Sequence, residues 1–230
     1  MAELRFEESM KKMLAEQEGV YFPVSASLPE RLLVRKISPK KLRPNADDEF
    51  CHDGVGPCYR IISEYEQKIK DAQMRDVPAI DEPLIVEKMR PNGYRIVNGH
   101  HRWAAAWRMG LKKVPIHIVN FVKESEIKQI LEKSDNVRRV SFDLDEVLLR
   151  SPEDPFLEKA LCFPLNLRFR ERIRLGVPAL FHFFKREGYD IWVYSSNYYS
   201  FDDVMKLLSH YGARIDGAVT GMGKAKQTRK

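Results

Sequence analysis

Two short stretches of this 230-residue chain hold side chains whose types and spacing suit chemistry. The first is Asn98-Gly99-His100-His101-Arg102, set between the apolar "YRIV" and the alanine-rich "WAAAW". The second is "VSFDLDEVLL", in which Asp143 and Asp145 stand two residues apart.

Four readings compete at the first stretch: a metal site, an acid/base pair, a phosphate cradle and an ordinary turn. Neighbouring residues on a strand point to opposite faces, and on a helix they diverge by about 100°. Adjacent histidines are therefore poorly placed to chelate one ion. A phosphate cradle suits the junction better. Gly99 lets the backbone adopt unusual dihedrals or approach a ligand closely. A helix starting there offers unpaired N–H groups and the positive end of its dipole. Arg102 adds a fork of donors for phosphate oxygens, and a histidine donates a hydrogen bond or shuttles a proton. On spacing alone the alternative stays open: a capping turn whose His and Arg satisfy backbone carbonyls.

At the second stretch, two carboxylates at the carboxyl end of a strand face the crevice where α/β sheets bind ligands. One carboxylate as nucleophile and one as proton donor is the division of labour of an aspartyl-phosphate mechanism. Mg2+, held by Asp143 and Asp145, would screen them from an anionic substrate. The alternative is an acidic turn that caps a helix.

The elements that must position these residues fall into two unlike groups. Residues 3–18 read as an amphipathic helix. Leu32–Ile37 reads as a strand, with Pro39 and Pro44 marking turns. Ser63–Gln73 has helical spacing, and "EPLIVEKM" and "GYRIVNG" read as strands around the turn Arg90-Pro91-Asn92-Gly93. Trp103–Met109 is a helix ended by Gly110, and "VPIHIVNF" is a further strand. Residues 123–135 form a charged helix. Then strands Arg139–Phe142, Asp190–Tyr194 and Gly217–Thr220 alternate with helices Val177–Glu187 and Phe201–Tyr211, the pattern of a parallel α/β sheet. The expected organisation is an N-terminal helix and lead-in at 1–29, an α+β domain at 30–121, a linker helix at 122–136 and an α/β domain at 137–230.

Composition excludes some classes. A hydrophobic fraction of 43% with 31% charged residues suits buried cores in a soluble protein. No apolar run approaches the roughly 18–20 residues of a membrane span, and the N-terminus lacks the apolar stretch of a secretory signal. Three cysteines, Cys51, Cys58 and Cys162, point to a reducing compartment, so the cytoplasm is expected. The spacing in "CHDGVGPC" is wrong for a zinc knuckle. A net charge of +6 is compatible with nucleic acid or phosphorylated ligands without demanding either. The acid-free tail "GMGKAKQTRK" reads as a solvated end, with a nucleic-acid grip as the alternative.

Residues 30–120 resemble the ParB N-terminal/sulfiredoxin-like family. "ISPKKLRPN" is similar to its opening strand and L-x-P-N turn, "EPLIV" to its middle strand, and "VNGHHRWAAAWRMGLKKVPIHIV" to its signature loop, helix and closing strand. The resemblance implies an α+β fold and binding of a nucleotide (ATP, ADP or CTP) through Asn98, Gly99, His100, His101 and Arg102. Sulfiredoxins carry a catalytic cysteine where this chain has His100, so sulfinic-acid reduction is not expected. Gly-His-His-Arg resembles the version in the free-serine kinases of this fold. Those place an acidic base shortly after a Leu-x-Pro turn. Here Leu42-Arg43-Pro44 is followed by Asn45-Ala46, which displaces the acids Asp47, Asp48 and Glu49, with Asp47 and Glu49 taken as the candidate base.

"VSFDLDEVLL" and "GVPALFHFFKREGYDIWVYSSN" resemble motifs I and II of the haloacid-dehalogenase-like phosphatases, implying a small α/β Rossmann-like domain. By that resemblance Asp143 is the nucleophile, Asp145 the general acid/base, Ser195 (or else Ser196) a phosphate-oxygen donor, and Lys224 (or else Lys226) the motif III lysine. Motif IV has no counterpart. Asp216 precedes the third strand, at the wrong end of the sheet, and Asp202 and Asp203 read as caps. The motif I strand would then be an exposed edge. The N-terminal domain, the 123–135 helix or a second subunit in a homodimer is expected to cover it. Arg168, Arg170, Arg172 and Arg174 read as solvated charge, with a phosphate grip as the alternative.

These readings combine into a phosphate-transfer enzyme: a nucleotide-binding, kinase-like domain joined to a Mg2+-dependent phosphomonoesterase-like domain acting on a phosphorylated substrate. The alternative is a non-enzymatic nucleotide-sensing or DNA-associated module with a degenerate phosphatase scaffold. Nucleic-acid binding ranks last, because no helical DNA-reading bundle follows residue 121.

Overall fold

The computed structural model describes residues 2–134, 138–149 and 153–221. The chain divides into two compact units, Met1–Asn120 and Phe121–Lys230. No helix among the described residues is long and apolar enough to cross a membrane.

The first unit is a mixed α+β layer. Its strands are β1 (Phe22–Pro23), β2 (Lys36–Ile37), β3 (Leu42–Arg43), β4 (Leu84–Arg90), β5 (Tyr94–Asn98) and β6 (Val114–Ile118). They lie in the order β2-β6-β4-β5-β3, with β1 added to β4. The hairpin β4–β5 is antiparallel and turns through Arg90–Gly93, where the Met89 N–H donates to Gly93 O at 3.0 Å. β3 runs parallel to β5, and β6 parallel to β4. The helices are α1 (Ala2–Gln17), α2 (Leu28–Leu33), α3 (Tyr59–Met74) and α4 (His100–Arg108).

Burial explains the arrangement. Leu84, Val86 and Ile96 of the central hairpin are fully buried beneath Trp103, Ala104, Ala105 and Ala106 of α4. The small alanines let α4 lie close to the sheet. Trp103 fills the remaining space, and its indole N–H donates to Pro39 O at 3.0 Å, so the burial leaves no orphan donor. Phe6 of α1 packs against Trp103 and Trp107, with ring centroids 5.6 and 5.5 Å apart. That contact ties the N-terminal helix into this core. Asn120 closes the unit by accepting from Ala26 N–H at 2.8 Å and donating back to Ala26 O at 3.0 Å.

One expected strand is partly a helix. Leu32 and Leu33 end α2 rather than open a strand, which is confined to Lys36–Ile37. The cause is local. The Ser27 side chain accepts from Glu30 N–H, and proline stands in the first turn, two start signals that override the apolar run.

The second unit holds three parallel strands, β7 (Arg138–Asp143), β8 (Tyr189–Tyr194) and β9 (Gly217–Val219), in that order. Its helices are α5 (Glu124–Lys133), α6 (Leu165–Arg168), α7 (Val177–Arg186) and α8 (Phe201–His210). Phe181 of α7, Val204, Leu207 and Leu208 of α8, and Leu144 and Leu148 after β7 build its core with Ile191 and Val193. Among the described residues, β7 is hydrogen-bonded to a strand on one side only, to β8. The exposed Arg138 and Arg139 of β7 reach across to β8: Arg138 lies over the Tyr189 ring, and Arg139 over Trp192, with an Nη2 3.7 Å from Asp190.

Candidate functional site

β5 carries the chain to Asn98, and Gly99 turns it into α4. Gly99 has φ 101° and ψ 24°, a left-handed conformation. A Cβ there would stand 2.6 Å from Leu84 Cδ2 and 3.0 Å from an Arg102 nitrogen. Only glycine fits, on both dihedral and space. The first N–H groups of α4 have no intrahelical acceptor, and the glycine cap brings no side chain to cover them.

The two histidines do different things. His100 is 4% exposed. Its Nε2 accepts from Asn45 N–H at 3.1 Å, which assigns the proton to Nδ1, and Nδ1 lies 3.5 Å from Asp48 Oδ2. His101 Nε2 accepts from Cys58 N–H at 3.3 Å, so its Nδ1 also carries the proton. Phe50 wedges against both rings, stacked on His100 at 5.4 Å and edge-on to His101 at 5.0 Å. Burial drives the His100 pKa down to about 4, against the opposing pull of Asp48 and with a smaller push from His101. Burial also lowers His101, again opposed by Asp48. Near neutral pH both rings are uncharged donors through Nδ1.

The acid that meets this pair is Asp48. Asp47 and Glu49, the acids favoured from sequence, both lie exposed. Asp48 caps the short 3-10 turn Glu49–Cys51 by accepting from Phe50 N–H at 3.0 Å, and that cap points its other oxygen at His100. A D-x-F cap signal stands in the sequence. The contact with His100, 52 positions away, has no local signature. Cys51 supplies no thiolate, because burial, helped by Asp48, pushes its thiol up to about 12.

Arg102 is 5% exposed. Its guanidinium donates to Asn98 Oδ1 at 3.1 Å and pairs with Glu82, an acid the sequence reading did not single out. Asn98, Gly99, His100, His101 and Arg102 thus share one corner with Asn45, Asp48, Phe50, Cys58 and Glu82.

In the second unit Asp143 ends β7, and its Oδ1 accepts from Glu146 N–H at 2.8 Å, capping the turn Leu144–Leu148. Ser195 is fully buried, donates to Asp145 Oδ2 at 2.5 Å and accepts from Asn197 N–H at 2.9 Å. Ser196 is exposed. Tyr199, missed from sequence, borders Asp145; burial first and then this carboxylate push its hydroxyl up to about 12. Asp143, Asp145 and Ser195 therefore gather at the carboxyl ends of parallel strands. Asp216 lies at the opposite end, where it accepts from Ile191 N–H at 2.6 Å and pairs with Lys185. Asp202 and Asp203 stand in the first turn of α8, Asp203 paired with Arg168. Arg172 donates to Glu158 O at 2.9 Å. Lys224 and Lys226 lie outside the described residues. No group of three or more His, Cys, Asp or Glu side chains arranged for a metal occurs among the described residues. Asp143 and Asp145 are the carboxylates that would hold Mg2+, an ion commonly bound by one or two carboxylates with waters and substrate phosphate.

The chain is 35% identical over 104 residues to the ATP-dependent L-serine kinase of Staphylothermus marinus, covering 44% of this chain and 38% of that protein. It is 27% identical over 128 residues to the ATP-dependent L-serine kinase of Desulfurococcus mucosus, covering 42% and 49%. The chain thus spans less than half the length of these curated relatives. A solved structure of C-terminally truncated ParB from Caulobacter crescentus, complexed with CTP-gamma-S, matches 42% of this chain and 48% of its own at 23% identity and a TM-score of 0.31. Residues 30–134, which include the Gly99–Arg102 corner and strands β2 to β6, match the ParB N-terminal domain.

Proposed function

We propose that the first unit binds ATP at the Gly99–Arg102 corner and transfers its γ-phosphoryl group to the hydroxyl of free L-serine or a similar small hydroxy compound. One observation carries this reading. A left-handed glycine opens α4 beneath two neutral imidazoles, with an acid held 3.5 Å from one of them. The resemblance to serine kinases supports it.

Each part has a role. The uncovered N–H groups of α4 and the His101 Nδ1–H donate to phosphate oxygens, and Arg102 supplies the positive charge. His100 is a positioning residue, because its Nε2 is held by Asn45 and its Nδ1 faces Asp48. The acceptor oxygen bonds to the γ-phosphorus as the bond to the β–γ bridging oxygen breaks. ADP leaves, and the hydroxyl proton passes to the Asp48 carboxylate. Positioning and charge supply most of the catalysis in such reactions.

The test is ADP release from ATP and Mg2+, with and without L-serine, in wild type, Asp48→Asn and Arg102→Gln. Release should require serine, fall at least about 100-fold in Asp48→Asn, the scale of a lost general base, and show weakened ATP dependence in Arg102→Gln. ATP binding without serine-dependent turnover would favour a nucleotide sensor instead. Salt-steep binding to DNA with no nucleotide binding would favour a nucleic-acid module.

The meeting of Asp143, Asp145 and Ser195 favours a second reading for the other unit: a Mg2+-dependent, haloacid-dehalogenase-like phosphomonoesterase. Asp143 and Asp145 would hold Mg2+, which would neutralise charge on an anionic substrate. Asp143 keeps one oxygen free of its cap, as a nucleophile needs. Asp145 is oriented by Ser195. Loss of Mg2+-dependent phosphate release from p-nitrophenyl phosphate in Asp143→Asn tests it.

A further inference from the structure

Arg102 is the most buried cation of the candidate phosphate corner, and it is already paired with an anion. Its side chain is 6% exposed, whereas that of its partner Glu82 is 71% exposed. The two halves of this pair are therefore unequal. Arg102 is fixed: it packs against Gly99 so closely that a Cβ there would meet its Nη2 at 3.0 Å and its Nε at 3.1 Å, and Asn98 Oδ1 holds it at 3.1 Å. Glu82 stands in the surface bend before β4, where its backbone N–H donates to the Asp81 side chain at 2.8 Å. An exposed carboxylate returns to water at little cost, while a buried guanidinium left without an anion is costly.

Carboxylate and phosphate offer a guanidinium the same chemistry, paired oxygens with negative charge, and phosphate carries more of it. We propose that Glu82 is a built-in competitor for the nucleotide phosphate. It occupies the Arg102 guanidinium when the corner is empty, keeps that side chain in place, and is displaced outward when a phosphoryl group arrives. The inference rests on the reading of Gly99–Arg102 as a phosphate loop. It adds that the affinity of this loop is set below its limit by a carboxylate of the same chain.

The test is calorimetric titration of the full chain with ATP at fixed ionic strength, for wild type, Glu82→Gln, Arg102→Gln and the double variant. Glu82→Gln should bind ATP about tenfold more tightly than wild type, the usual scale of coupling between two ligands of one group. Arg102→Gln should bind more weakly, and adding Glu82→Gln to it should give no gain. Thermal unfolding supplies a second readout: Glu82→Gln should lower the ligand-free Tm, yet show a larger upward shift with ATP than wild type. Equal or weaker ATP binding by a folded Glu82→Gln would overturn the inference while leaving the phosphate loop standing. A gain that persists without Arg102 would overturn it too. Absence of ATP binding in all four proteins would instead remove the phosphate-loop reading, and this inference with it.

Discussion

At the residue scale, Gly99 and His100 carry the main physical constraints of the candidate site. Gly99→Ala places a Cβ 2.6 Å from Leu84 Cδ2 at a φ of 101°. The loss should be on the order of 1–3 kcal/mol from backbone strain alone, read as a lower denaturant midpoint, with ATP binding abolished. His100 makes stability depend on pH. Its folded pKa, about 4, lies below the ordinary value of 6.5, because burial disfavours the charged ring. Between those values the unfolded chain binds the extra proton, so stability rises with pH there. The contribution is fully present above about pH 6.5 and is lost as pH falls toward 4. Urea melts at pH 7 and pH 4.5 should show this loss, and His100→Gln should flatten it. The sequence made the glycine and the two histidines legible, since their residue types advertise a special turn and neutral donors. It hid their division of labour, because the Asn45 and Cys58 N–H groups that set the tautomers come from distant segments.

At the element scale, the Asn45–Cys51 segment decides which acid serves the site. Asp48 caps the Glu49–Cys51 turn and meets His100, so one side chain links local geometry to the candidate chemistry. Asp48→Ala should cost about 1 kcal/mol through the lost cap and should remove phosphoryl transfer while sparing ATP binding. Asp47→Ala, at an exposed carboxylate, should alter stability by less than about 0.5 kcal/mol. Helical and strand periodicity was readable wherever one face is buried, as in α3, α4 and the β4–β5 hairpin. It misled at Leu32–Ile37, where the Ser27 cap and Pro29 start a helix across an apolar run. It was silent on Glu82, since no short-range rule pairs a residue with one twenty positions on across a hairpin.

At the scale of the whole molecule, two unlike units carry two unlike constellations. The alternation of strands and helices after residue 137 announced a parallel sheet. Asp143, Asp145 and Ser195 converge there because parallel strands end together. Their chemistry should be separable from that of the first unit, so Asp143→Asn should leave serine-dependent ADP release within about twofold of wild type, a ratio worth roughly 0.4 kcal/mol. β7 is the terminal strand of the described sheet, the position expected when motif IV has no counterpart. The placement of Arg138 and Arg139 over Tyr189 and Trp192 depends on cross-strand register that sequence does not display. The central claim is phosphoryl transfer at the Gly99–Arg102 corner, and phosphorus NMR of ATP with Mg2+ and L-serine tests it most directly. The γ-phosphate resonance should give way to ADP and a phosphomonoester signal in wild type, and should persist in His101→Ala and Asp48→Ala. An unchanged ATP spectrum in wild type with serine present, or equal conversion in all three proteins, would contradict the account.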